Sequence, residues 1–196
     1  MKLNLEFYKE TELNKLTSEE LDIINLFWNK DEKRIPEHIV NVNSSYEEIK
    51  VATDNRKNII SFYPIEEDAT VLELGANYGE ITLELCNKAK KVVSIENKKE
   101  KAEIISRRYA DVENLEIYAG ELKNIKLEEK FDYVVALNEE FNSLEEVDKF
   151  LKNIKSRLKL DGKAIIALDN KFGIKYWSGI KKEKDKDKDD EMGDDK

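Results

Sequence analysis

The sequence predicts an α/β fold built on a doubly wound, mostly parallel sheet. Three observations predict it: apolar runs of strand length recur along the chain, segments of helical periodicity separate them, and the runs end in glycine, acid or amide residues. Polar residues at strand exits are what a ligand-binding open sheet needs, because its ligands lie outside the carboxyl ends of the strands.

Residues 1–57 read as an N-terminal cap or extension. Alternating Leu3, Leu5 and Phe7 predict a short strand, and Thr17-Ser18-Glu19-Glu20 has the capping-box spacing that opens a helix carrying Leu21, Ile24 and Trp28. A second helix is expected from Ser45 through Ile49 toward Ile60, ending before Pro64. Residues 58–180 then hold five strands: Val71–Leu74, Lys91–Glu96, Leu115–Glu121, Phe131–Asn138 and Gly162–Asp169. Between the last two, Ser143-Leu144-Glu145-Glu146 caps a helix carrying Val147, Phe150, Leu151, Ile154 and Leu158. Residues 181–196, nearly all Lys, Asp and Glu, read as a disordered charged tail.

The most informative stretch is Glu73-Leu74-Gly75-Ala76-Asn77-Tyr78-Gly79, where the first of these strands enters a glycine turn. Glycine lacks a Cβ, so a ligand can approach bare backbone at Gly75. The dinucleotide pattern G-x-G-x-x-G fails here, and a carboxylate at Glu73 repels a pyrophosphate while tolerating an ammonium or sulfonium group. The turn therefore points to S-adenosylmethionine. Glu96 follows Gly75 at roughly the 20-residue spacing of a ribose-binding carboxylate. Glu121 leaves the next strand, where it is placed to accept from an adenine amino group.

Taken in order, Glu73 to Gly79, Ile95-Glu96, Gly120-Glu121, Phe131 to Val135 and Leu160-Asp161-Gly162-Lys163 resemble the motifs of class I S-adenosylmethionine-dependent methyltransferases. The resemblance covers roughly residues 58–170 and implies a Rossmann-like fold with a cofactor set of Glu73, Leu74, Gly75, Ala76, Asn77, Gly79, Glu96, Asn97, Gly120, Glu121 and Asn138. One departure is Asn77, where the family usually has glycine; Asn is the next most tolerant residue in left-handed backbone. The segment Leu168 to Gly179 is similar to bacterial methyltransferase domains associated with cell-surface polysaccharide synthesis. The family's sheet has seven strands, and the last two are missing from the pattern here. The fifth strand would then have an open edge, to be covered by the Leu3-Leu5-Phe7 strand, by a second copy or by a partner.

Methyl transfer needs alignment of a nucleophile and, for a hydroxyl acceptor, a base. Glu139, then Glu140, are the candidates, since Asn138-Glu139-Glu140-Phe141 follows the fourth predicted strand. His38, the single histidine, reads as structural or exposed; Tyr78 either touches ligand or packs on the next helix; Tyr176 and Trp177 read as cover for a core edge. Base-amine methyltransferases usually carry a proline-rich loop where this chain has Asn-Glu-Glu-Phe, which argues against nucleic acid. The net charge of −9 argues the same way.

Lys98-Lys99-Glu100-Lys101 with Arg107-Arg108 reads as the wet face of a helix whose buried side is Ala102, Ile105 and Tyr109. Cys86, the single cysteine, sits among Ile81, Leu83, Leu85 and Ala89 as core packing and excludes a thiolate cluster; no metal site is assigned. Apolar runs fall well short of the ~20 residues of a membrane span, and residues 1–6 have no signal-peptide core, so a cytoplasmic location is expected. The expected function is methyl transfer to an oxygen or nitrogen of a small molecule or glycan intermediate. The alternative is a truncated methyltransferase-like domain serving as a non-catalytic assembly subunit.

Overall fold

The computed structural model describes residues 2–29, 44–53, 56–137, 141 and 143–167. In chain order the regular elements are β1 (Lys2–Asn4), α1 (Ser18–Asn29), α2 (Tyr46–Ala52), α3 (Lys57–Ser61), β2 (Thr70–Leu74), α4 (Thr82–Lys88), β3 (Lys91–Glu96), α5 (Lys99–Arg108), β4 (Leu115–Ala119), β5 (Phe131–Ala136), α6 (Leu144–Arg157) and β6 (Leu158–Ile166). The strands form one six-stranded sheet in the order β1-β4-β3-β2-β5-β6, and every pairing is parallel. Strand order reverses between β2 and β5, which opens a crevice at their carboxyl ends.

Both faces of the sheet are covered, so its central strands are apolar on both sides. On one face Val71, Val92, Ile117 and Val135 pack with Leu85 and Cys86 of α4 and with Ala102 and Ile105 of α5. On the other, Leu72, Leu74, Val93, Ile95, Val134 and Ala136 pack with Ile154 of α6. Cys86 is buried and its thiol is pushed up to about 12 by burial, as suits a packing residue rather than a nucleophile. A third cluster joins Ile23, Ile24 and Phe27 of α1 to Val51, Tyr78 and Ile104.

The helix starts follow the sequence signals. Thr17 Oγ1 accepts from the Glu20 N–H while the Glu20 carboxylate accepts from the Thr17 N–H, and Ser143 Oγ accepts from the Glu146 N–H. The helix expected over 45–60 is instead two, because Thr53 is extended and stops α2. α6 ends at Arg157, and Leu158 already belongs to β6.

Two expectations are corrected. β1 does not reach the edge left open by the fifth predicted strand. It pairs with β4 at the opposite edge, Leu3 opposite Ile117, where Phe7 also packs against Tyr118 with the two rings tilted. Among the described residues nothing pairs the outer edge of β6, whose Lys159, Asp161 and Lys163 are exposed, the usual charged guard of an open edge. The second correction concerns Lys101, which is buried rather than solvated. Its ammonium pairs with Glu20 at 2.7 Å and lies over the Tyr78 ring, because α1 packs across this face of α5.

Candidate cofactor site

β2 delivers the chain into the glycine turn at the crevice. Gly75 (φ 62°), Asn77 (φ 52°) and Gly79 (φ 81°) all take left-handed backbone, where glycine is unstrained and Asn the best tolerated substitute. Ala76 N–H donates to the Ile95 carbonyl, which ties the turn to β3. Gly79 is held from the other side by the Tyr109 hydroxyl, donating to its carbonyl at 2.6 Å. A Cβ on Gly79 would lie 2.7 Å from the Tyr109 ring.

A cavity of about 320 Å³ opens beside this turn. Leu74, Gly75, Ile95, Asn97 and Glu121 line it from the strand exits; Glu146, Lys149, Phe150 and Asn153 of α6 form the facing wall. That volume falls at the lower end of small-ligand pockets. The Glu121 carboxylate is mostly buried and carries an ion pair with Lys123.

Glu96, buried at the end of β3, accepts from the backbone N–H of Asn77 at 2.7 Å through Oε2 and from that of Lys98 at 2.9 Å through Oε1. Burial raises its pKa, opposed by Lys101 and these two amides. Glu96 is not among the residues that line the cavity: side chains alternate along β3, so Ile95 faces it and Glu96 sits behind the turn, with a lone pair on each oxygen beyond the bond it makes.

Glu73 does not line the cavity. Side chains alternate along β2, so Leu74 faces the cavity side while Glu73 faces the α4 side. There it accepts from Thr82 Oγ1 and Ser94 Oγ, the latter directly across in β3. Burial pushes its carboxyl up to about 7. Tyr78 likewise points away, stacked on Phe27 within the α1 cluster, which settles its role as packing.

A family profile described as "Methyltransferase domain" matches residues 71–162, the stretch from β2 into β6. Residues 71–162 match a methyltransferase domain in sequence, and the parallel sheet they belong to has the class I methyltransferase fold. The cofactor of that family is S-adenosylmethionine. An "Uncharacterized methyltransferase" of Staphylococcus carnosus is 29% identical over 142 residues, 71% of this chain and 66% of that protein. An rRNA adenine N-6-methyltransferase of Bacillus licheniformis is 38% identical over 76 residues, 38% of this chain and 26% of that protein. The phosphoethanolamine N-methyltransferase 1 structure from Haemonchus contortus, in complex with phosphoethanolamine and S-adenosylhomocysteine, superposes with a TM-score of 0.56 at 24% identity, over 77% of this chain and 33% of that one. The chain thus spans two thirds or less of the curated relatives named here.

The fold brings Leu74, Gly75, Asn97 and Glu121 together on the cavity wall. Ala76, Asn77 and Gly79 shape the turn behind it, and Gly120 (φ 130°) lets the chain pass close under the Phe7 carbonyl. Asn138, Glu139, Glu140, His38, Tyr176, Trp177 and the tail 181–196 lie outside the described residues. Sequence reasoning missed the α6 wall. Glu146, Lys149, Phe150 and Asn153 recur at helical spacing, one stripe of the helix, but only Phe150 has the apolar character that periodicity detects.

Proposed function

We propose that this domain binds S-adenosylmethionine in the crevice at the ends of β2, β3 and β4 and transfers its methyl group to an oxygen or nitrogen of a small molecule or glycan intermediate. The observation that carries this reading is the convergence of a left-handed Gly75 backbone, Asn97 and the Glu121 carboxylate on one cavity, with the buried Glu96 carboxylate anchored on the turn behind it. The residues fit the cofactor. Gly75 leaves its backbone open to close approach, Glu96 has lone pairs for two vicinal hydroxyls, and Glu121 has acceptor capacity for an amine. The bound cofactor supplies an activated methyl group. What remains for the protein is to orient the acceptor and take up its proton, for which Glu139 and Glu140, following β5 in the chain, are the proposed bases.

The rRNA methyltransferase likeness raises a competing reading, an adenine amine of RNA. Against it stand the net charge of −9 and the absence of proline from Asn138-Glu139-Glu140-Phe141. No helix among the described residues is long and apolar enough to cross a membrane. The test is transfer of a labelled methyl group from the cofactor to nucleotide sugars and glycan precursors, with rRNA in parallel. Label in the small-molecule fraction, lost in Glu139→Gln, is the expected result. Label in rRNA alone would overturn the acceptor class, and label in neither, from protein that binds the cofactor, would favour an assembly role.

A further inference from the structure

Asn77 stands where the family usually has glycine, and it is not a passive substitute. Its side-chain Nδ2 donates to Glu80 Oε1 at 2.6 Å, and its Oδ1 accepts from Lys101 Nζ at 2.6 Å. Both partners reach back to the N-terminal segment. Lys101 pairs with Glu20 of α1, which also binds Lys98. Glu80 pairs with Arg56 at 2.9 Å and lies 3.8 Å from Lys50 of α2. Arg56 in turn donates to the carbonyl of Leu137, the residue after β5. The backbone N–H of the same Asn77 donates to Glu96. Asn77, Lys101 and Glu96 are all buried, so each bond acts in a medium that screens little.

We propose that Asn77 is a positioning residue: its amide, clamped between Glu80 and Lys101, fixes the left-handed turn that aligns Glu96 and couples the order of the cofactor turn to the docking of α1 and α2. A glycine here would keep the backbone conformation and the amide bond to Glu96, yet lose the clamp and widen the range of backbone states. Of glycine, Asp and Asn, only Asn offers both a donor for an acid on one side and an acceptor for an ammonium on the other. The part concerning Glu96 rests on the cofactor reading above; the coupling to α1 does not.

The test compares wild type, Asn77→Gly, Asn77→Asp and Asn77→Asp/Glu80→Gln by amide hydrogen exchange in ligand-free protein and by calorimetric titration with S-adenosylhomocysteine. Asn77→Gly is expected to speed exchange in α1 and α2 about tenfold or more, leave α6 unchanged, and weaken the ligand about three- to tenfold. Asn77→Asp sets a carboxylate against Glu80 and is expected to do the same. Glu80→Gln in that background restores a donor facing an acceptor, and the double variant is expected to recover slow exchange and affinity, which a merely structural loss would not do. Unchanged exchange in α1 with Asn77→Gly, or no recovery in the double variant, overturns the proposal. Faster exchange with unchanged affinity overturns the hold on Glu96. If wild type binds no ligand, the cofactor reading fails, and the exchange comparison still decides the coupling.

Discussion

The Thr82 hydroxyl donates to Glu73 Oε2 at 2.8 Å, joining the first turn of α4 to the strand that precedes the glycine turn. Ser94 donates to the same oxygen, while Oε1 has no hydrogen-bond partner among the described residues. A buried carboxylate with one oxygen unserved is costly, and burial accordingly favours the neutral form, pushing the carboxyl up to about 7 from an ordinary 4.5.

That shift has a sign. Through the window from about 4.5 to about 7 the folded chain keeps the Glu73 proton that the unfolded chain has released, so Glu73 makes stability fall as pH rises across it. Glu73→Gln mimics the neutral form and is expected to flatten this window and to be more stable than wild type above pH 7. Urea unfolding at pH 5 and pH 8 checks it; equal pH slopes in the two proteins would contradict it.

Glu20 behaves oppositely. Burial works against its charge, but hydrogen bonds from Lys101 and Lys98 outweigh burial and hold its carboxyl at about 2. Its stabilisation is present above the ordinary carboxylate pKa and is lost as pH falls toward 2. Glu20→Gln should lower the denaturation midpoint at pH 7 and leave it nearly unchanged at pH 2, measured by thermal scans at the two values.

Gly79→Ala places a Cβ against the Tyr109 ring at a φ of 81°, which L side chains rarely adopt. A cost of about 1–3 kcal/mol follows from the strained backbone. Tyr109→Phe, which loses the hydroxyl bond to the Gly79 carbonyl, should cost about 0.5–1.5 kcal/mol. Chemical denaturation of both variants gives the comparison, and a Gly79→Ala protein as stable as wild type would show the turn to be looser than described.

The β4 edge depends on β1. Leu3→Pro removes a backbone donor from this short strand and should leave the edge beside Tyr118 open to self-association. Light scattering against concentration reads this directly; a variant as monodisperse and as stable as wild type would contradict the pairing.

What was legible in the sequence was set by period and exit chemistry. Val71 and Val92 announced strands because the runs they open are apolar on both faces, Leu115 and Phe131 because apolar runs continue past Glu116 and Asp132, and Gly75 announced the turn because only a special backbone needs glycine there. Glu73 is less legible: its place at the strand end is plain and its charge suggests a ligand, but alternation along β2 turns it toward Thr82 and away from the cavity. Lys101 was misread because charge periodicity reports a solvated face only where no other element lies on it, and α1, distant in sequence, lies there. The destination of β1 was not legible either, since three residues pair equally well in pattern with either edge, and only Phe7 on Tyr118 and the fit under Gly120 decide.

The central claim, that this crevice is a working cofactor site organised around Glu96, is tested most directly by calorimetric titration of wild type and Glu96→Ala with S-adenosylhomocysteine. The account predicts micromolar binding by wild type and a loss of about 1–3 kcal/mol, roughly ten- to a hundredfold, in the variant. No binding by folded wild type at millimolar ligand, or an unchanged affinity in Glu96→Ala, would contradict it.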